Sequence, residues 1–214
     1  MKSPRSLVAA LLVVGVLPLL QGCFPLIATG VGAGAAMIAD RRVTEVYLMD
    51  EAIELRATGR IDDRFGDKVH VNITSYNRTA LVTGEVPDAA TRDEVAKIVQ
   101  GIDNVRGVLN ELRIAPLTSF SERSNDTYLT SKVKTRFVDA GEFSPLHVKV
   151  VSEGGVVYLL GLVTRREAES AVGIARTTSD VRKVVRAFEY ISEAEAKRLE
   201  SQPAEQTPAT RPGA

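Results

Sequence analysis

The chain has no tryptophan, only five tyrosines and six phenylalanines in 214 residues, a single cysteine (Cys23) and two histidines (His70 and His147). Few aromatics argue against a large aromatic ligand pocket. One cysteine excludes an internal disulfide. The two histidines fall at matching points of separate halves, each without a Ser or Asp partner motif, so neither a His-activated nucleophile nor a zinc site is expected. The expectation is no catalysis and no metal. An excess of charge is also lacking, with 27 basic and 27 acidic side chains, which gives no general case for nucleic-acid binding. Nor is there an apolar run long enough to cross a membrane. The longest, within residues 7–23, holds about 14 apolar or small residues and is broken by Pro18, against the ~20 that a spanning helix needs.

That run follows Lys2 and Arg5, which is the layout of an export signal. It ends in Leu20-Gln21-Gly22-Cys23, which resembles the lipobox of bacterial lipoproteins. The resemblance implies cleavage after residue 22 and a lipid-attachment site at Cys23, carrying a diacylglycerol and an N-acyl chain, with no other cofactor. One acyl chain binds a bilayer only marginally, whereas three hold effectively permanently. Residues 23–43 read as a lipidated Gly/Ala-rich linker. Gly30, Gly32 and Ala35 mimic a dinucleotide fingerprint, but no strand precedes them and no βαβ unit surrounds them. Phe24 stands where lipoproteins kept in the inner membrane often carry Asp, which points to outer-membrane delivery.

From Thr44 the pattern is helical, with Ile53, Ala57 and Ile61 on one face. Two alternating segments around Asn77-Arg78 read as a hairpin, a second helix opens at Pro87-Asp88, and a last strand runs through Val108–Ile114. The order helix, strand, strand, helix, strand then recurs. Val148 falls on Val71, His147 on His70 and Gly161 on Gly84, while Val181, Val184 and Phe188 fall on Val105, Val108 and Leu112. The chain is expected to hold two homologous domains, 44–114 and 124–191, joined by 115–123, with the first helix of the second at about 126–139. Residues 192–214 are expected to form a short helical extension capped by Ser192 and a disordered tail. In each domain the hairpin should be antiparallel and the crossover strands parallel. Gly84 and Gly161, each inside a strand, suggest a bulge or a close approach of the packing helix. At roughly 65 residues each domain is marginal alone, so mutual packing is expected.

The lipobox, the glycine-rich linker and the two αββαβ units, with Ser124-Asn125-Asp126-Thr127-Tyr128 and Gly161-Leu162-Val163-Thr164-Arg165-Arg166-Glu167-Ala168, resemble the dual BON-domain lipoproteins of the outer membrane. The resemblance implies an α+β fold of two tandem BON domains, each a three-stranded mixed sheet packed with two helices. It implies a periplasm-facing protein that supports envelope integrity and binds phospholipid. The Pro-rich tail departs from that family's short ending.

Charge separates the repeats. Residues 50–114 carry twelve acidic and nine basic side chains, and residues 126–191 carry eight acidic and ten basic, so the second is the better candidate for an anionic phospholipid membrane. On its first helix Leu129, Val133 and Phe137 form the core stripe, and Tyr128, Lys132, Thr135 and Arg136 share an adjoining face. Tyr128, Lys132, Lys134 and Arg136 are the candidate phospholipid-binding residues, since an amphipathic aromatic beside cations suits the headgroup boundary. The bland reading is a solvated charged face with Tyr128 packed on the other repeat. Two functions stay open: a phospholipid-binding envelope protein, or a periplasmic adaptor or chaperone that binds envelope protein partners and touches lipid only through Cys23.

Overall fold

The structure, a computed structural model, describes residues 40–201. The export signal, Cys23, the linker up to residue 39 and the tail from 202 lie outside the described residues. Among the described residues no helix is long and apolar enough to cross a membrane.

The first domain runs α1 (Thr44–Phe65), β1 (His70–Tyr76), β2 (Thr79–Val86), α2 (Ala89–Gln100), β3 (Gly107–Asn110) and β4 (Arg113–Ile114). The second runs α3 (Phe120–Ala140), β5 (Lys149–Glu153), β6 (Val156–Val163), α4 (Arg165–Arg176) and β7 (Lys183–Tyr190), followed by α5 (Glu193–Glu200) behind Ser192. The hairpins β1/β2 and β5/β6 are antiparallel, and β3, β4 and β7 pair in parallel with the central strand of their own sheet. The strand expected through 108–114 is interrupted because the Leu112 amide donates to the Asn110 side chain at 3.2 Å, while the register to β2 continues unshifted into β4. A second correction concerns α3. It begins at Phe120 rather than near 126, on a capping box formed by Ser119 and Glu122, so the connection between domains is shorter than 115–123.

Each domain buries one face of its sheet under its two helices. Ile53, Ala57 and Ile61 of α1 meet Ala80, Val82 and Val86 of β2, and Leu129, Val133 and Phe137 of α3 meet Val157, Leu159 and Val163 of β6. The opposite faces pack on each other through Tyr76, Leu81, Tyr158 and Leu160, flanked by Leu109, Val151, Val185 and Ala187. Both central strands are therefore covered on both sides, which is why they read as nearly unbroken apolar runs.

Each hairpin turn takes positive φ at its two central residues, Asn77 (49°) and Arg78 (67°) in the first domain, Gly154 (56°) and Gly155 (75°) in the second. A buried aspartate at the start of the packing helix holds each turn. Asp50 accepts from the amides of Asn77 and Arg78 at 2.8 and 2.7 Å, and Asp126 accepts from those of Gly154 and Gly155 at 2.8 and 3.0 Å. Gly84 and Gly161 mark neither a bulge nor a helix contact. A Cβ at Gly84 would stand 1.9 Å from the His70 carbonyl oxygen and one at Gly161 2.3 Å from that of His147, so the backbone alongside sets the requirement, β1 in the first domain and the 3-10 turn ahead of β5 in the second.

Gly84→Ala adds both that overlap and a φ of 117°, and is expected to destabilise by about 3 kcal/mol or more. Gly59→Ala, in α1 with nothing within 4 Å of the added carbon, is expected to stabilise by up to ~1 kcal/mol. Urea unfolding of the two variants checks both signs.

Candidate functional site

Two regions concentrate the polar chemistry: the junction between the domains and the outer face of α3. The junction begins with a strap, Asp40-Arg41-Arg42. The Arg42 guanidinium pairs with Asp40 and Asp50 at 2.6 Å each and lies 4.1 Å from the centre of the Tyr76 ring. Arg41 reaches the second domain, donating to both carboxylate oxygens of Glu167 (2.7 and 2.8 Å), to Glu200 (2.5 Å) and to the Leu162 carbonyl (2.8 Å). Burial opposes the charge on Glu167, but the Arg41 hydrogen bonds and the Thr164 amide overcome it and hold its pKa at about 2. His147 lies buried beside this pair, pushed toward the neutral form by burial and by Arg41. It sits in a 3-10 turn (Pro145–His147) ahead of β5, not on a strand as its repeat position suggested.

Deeper in the junction, His70, Glu85 and Glu153 bring one ligand atom each within 4.8 Å of one another. The sequence reading set metal aside because the two histidines belong to different halves. It did not foresee that the second domain would supply a carboxylate to the first domain's histidine. By donor type the group is metal-capable, yet three of its four carboxylate oxygens already have partners. Glu85, fully buried, accepts from His70 Nδ1 at 3.0 Å, from the Thr118 amide and hydroxyl at 3.2 and 2.9 Å, and from Arg113. Those contacts outweigh burial and keep it below the usual carboxylate range. Glu153 has the Asn72 amide at 2.9 Å, and burial raises its pKa. Lys149–Glu54 (2.8 Å) and Asn77–Glu189 (2.8 Å) are further links between the domains.

On α3 the structure separates the four sequence candidates. Tyr128 is 63% exposed, with the Lys132 ammonium 5.1 Å from its ring centre, so it does not pack on the other domain. Lys132 also donates to Asp180 at 2.6 Å and to the Ser179 hydroxyl at 2.9 Å. Arg136 is half-buried, donating to the Ile174 carbonyl and the Thr178 hydroxyl at 2.9 Å each. Lys134 lies about 120° around the helix from Tyr128 and lines a groove of about 550 Å³ with His70, Asn72 and Glu153. The structure therefore joins Tyr128 to Lys132 and gives Lys134 and Arg136 other surroundings.

The sequence reading missed the rest of that face. Phe120, Ser124, Tyr128, Ser131, Thr135 and Val138 recur at helical spacing along the whole of α3, all exposed and all uncharged, with Phe120 81% and Val138 63% exposed. Phe120 falls within the expected connection 115–123, but Ser119-x-x-Glu122 is a capping signal that places it on the helix.

The family model of the BON domain matches residues 50–116 and again 125–192, which are the two αββαβ units. The chain belongs to the dual BON-domain outer-membrane lipoproteins. It is similar to the outer membrane lipoprotein DolP of Haemophilus influenzae, with 35% identity over 88% of this chain and 98% of that protein. It is also similar to a 21 kDa hemolysin of Actinobacillus pleuropneumoniae (25% identity, 71% of this chain and 79% of that one) and to osmotically-inducible protein Y of Escherichia coli (24%, 73% and 80%). The α+β tandem-BON architecture and the outer-membrane lipoprotein class thus stand together, and the strap and α3 face are features of this BON pair.

Two variants test the junction. Arg41→Gln leaves buried Glu167 without its main partner and is expected to cost about 3 kcal/mol, roughly 6–12 °C in Tm. Because the folded Glu167 titrates at about 2 rather than 4.5, its contribution is complete above pH 4.5 and lost as pH falls toward 2. Thermal melts across that window should fall less steeply for the variant. Glu153 is shifted the other way, so its ionised form opposes folding at neutral pH. Glu153→Gln, which keeps an acceptor for Asn72, is expected to raise Tm at pH 7 and to lose that advantage as the pH is lowered and Glu153 itself becomes protonated.

Proposed function

We propose that this chain is a non-enzymatic protein of the periplasmic side of the outer membrane. It is held by a diacylglycerol and an N-acyl chain on Cys23, and its second BON domain rests on anionic phospholipid and supports envelope integrity. The observation that carries this reading is the uncharged face of α3. A helix that presents Phe120, Tyr128 and Val138 to solvent along 19 residues, with Asp139 in its last turn as the one carboxylate beside this row, suits the headgroup boundary of a bilayer better than bulk water. Lys132 adds a cation against the Tyr128 ring. Each apolar side chain removed from water contributes on the order of 1.5–3 kcal/mol when fully buried. Interfacial contact yields a part of that, which suffices for a domain that the acyl tether already keeps at high local concentration.

The adaptor reading has an observation of its own. On α1, Leu48 and Leu55 are 57% and 77% exposed two turns apart, and with Ala52 and Gly59 they form a second uncharged row. Glu51 and Asp62 flank it, which disfavours an anionic membrane and favours a protein partner there.

Sedimentation with vesicles separates the two. Protein produced from residue 23 onward as the Cys23→Ser chain, which carries neither the apolar run 7–22 nor an acyl group, is expected to bind vesicles containing phosphatidylglycerol and to bind less as salt rises. Tyr128→Ser and Phe120→Ser should each lower that binding about tenfold, equivalent to ~1.4 kcal/mol. Binding that is absent at low salt would leave the adaptor reading.

A further inference from the structure

Of the four cations of α3, Lys132 and Arg136 are committed within the protein, and Arg123 and Lys134 line the groove with His70 and Glu153, so an anionic headgroup held at the Tyr128 face draws on charge from elsewhere. Beside α3, the end of α4 and the edge strand β7 enclose a cleft of about 320 Å³. Its floor is Val172, Val181 and Val184, and its rim carries four cations, Arg176, Arg182, Lys183 and Arg186. All four are exposed, and among the described residues none makes an ion pair or a side-chain hydrogen bond. The carboxylate nearest in sequence, Asp180, is taken by Lys132. The Arg182 stem lies across the hairpin turn at Gly155, where an added Cβ would come within 3.0 Å of it, and its amide donates to the Gly155 carbonyl at 2.8 Å. Glycine at the turn thus leaves the room that lets this side chain pass.

Two bland explanations account for part of the cluster. A helix C-terminus favours a cation such as Arg176, and edge strands carry Lys or Arg that discourage pairing with another chain. The first domain has the same helix end and the same edge strand, however, and by the repeat its matching positions are Gln100, Arg106, Gly107 and Asn110. One cation serves there where the second domain has four, so the fold does not demand them. Four like charges around one small cleft repel one another, and a bound anion relieves that repulsion.

We propose that the α4–β7 cleft is a phosphate-binding site, its cations holding a phosphate-bearing group above the three valines. The Lys132–Asp180 contact links the cleft to the uncharged face of α3. A phospholipid whose acyl region lies along Phe120, Tyr128 and Val138 would then place its phosphodiester at the cleft. That lipid source rests on the function proposed above, whereas the anion chemistry of the cleft does not.

The test uses the Cys23→Ser chain with two probes, vesicles with and without phosphatidylglycerol, and inorganic phosphate followed by amide shifts of residues 181–186. Arg182→Glu/Arg186→Glu is expected to weaken binding to phosphatidylglycerol vesicles at least tenfold. Arg182→Gln/Arg186→Gln, the milder change, should weaken it severalfold. Lys68→Glu/Lys97→Glu, an equal change of net charge on the first domain, should alter it less than twofold. Equal losses in the two charge-reversed proteins, or none in the cleft variants, would overturn the site even if Tyr128→Ser still weakens vesicle binding and so leaves the α3 reading intact. Phosphate-induced shifts at 181–186 that vanish in the cleft variants, in a protein that ignores vesicles, would keep the site with a soluble phosphate as its ligand and remove the lipid reading. No shift and no vesicle binding would overturn both.

Discussion

The structure depends on the burial of one sheet face against another. Neither BON domain covers both sides of its own sheet, since both of its helices lie on the same side. Tyr76 and Leu81 of the first domain and Tyr158 and Leu160 of the second would be open to water if the domains parted. Pairing the bare faces hides them and turns two marginal cores into one larger body. It also leaves the helices of both domains outermost.

Polar groups decide which orientation of that apolar contact is adopted. The strap Asp40-Arg41-Arg42 follows the linker and sends one guanidinium into each domain. Asn72–Glu153, Asn77–Glu189 and Lys149–Glu54 then fix the sheets against sliding. Buried charges of this sort are weak evidence for net stability, because desolvation offsets much of the attraction. Their contribution is geometric. The strap also fastens the start of the described residues to the second domain, whose α3 carries the uncharged face.

Most of the architecture was legible in the residues, because the signals behind it are local and repeated. The i, i+4 spacing of Ile53, Ala57 and Ile61, the Asn77-Arg78 turn and the recurrence of the whole pattern placed nearly every element of both units. The failures have physical causes. Leu112 leaves the β ladder because the Asn110 side chain offers its amide another acceptor. Gly84 and Gly161 were attributed to a bulge or a helix when the constraint was a backbone carbonyl alongside. Lys132, Lys134 and Arg136 looked equivalent as charges on one helix, but Asp180, the interdomain groove and the end of α4 give each a different neighbour.

By itself the sequence determined that this chain holds two copies of one αββαβ unit behind a Leu20-Gln21-Gly22-Cys23 stretch that resembles a lipobox, since periodicity, turn chemistry and repeat spacing need no knowledge of distant partners. Only the tertiary structure decided which charges are free. A cation is available to a ligand when no carboxylate or carbonyl meets it in space, and such partners lie far along the chain, 126 residues away for Glu167 and 159 for Glu200 from Arg41. That pairing depends on how the two sheets stack. It is why Arg41 and Arg136 are structural while Arg176, Arg182, Lys183 and Arg186 remain open to solvent around one cleft.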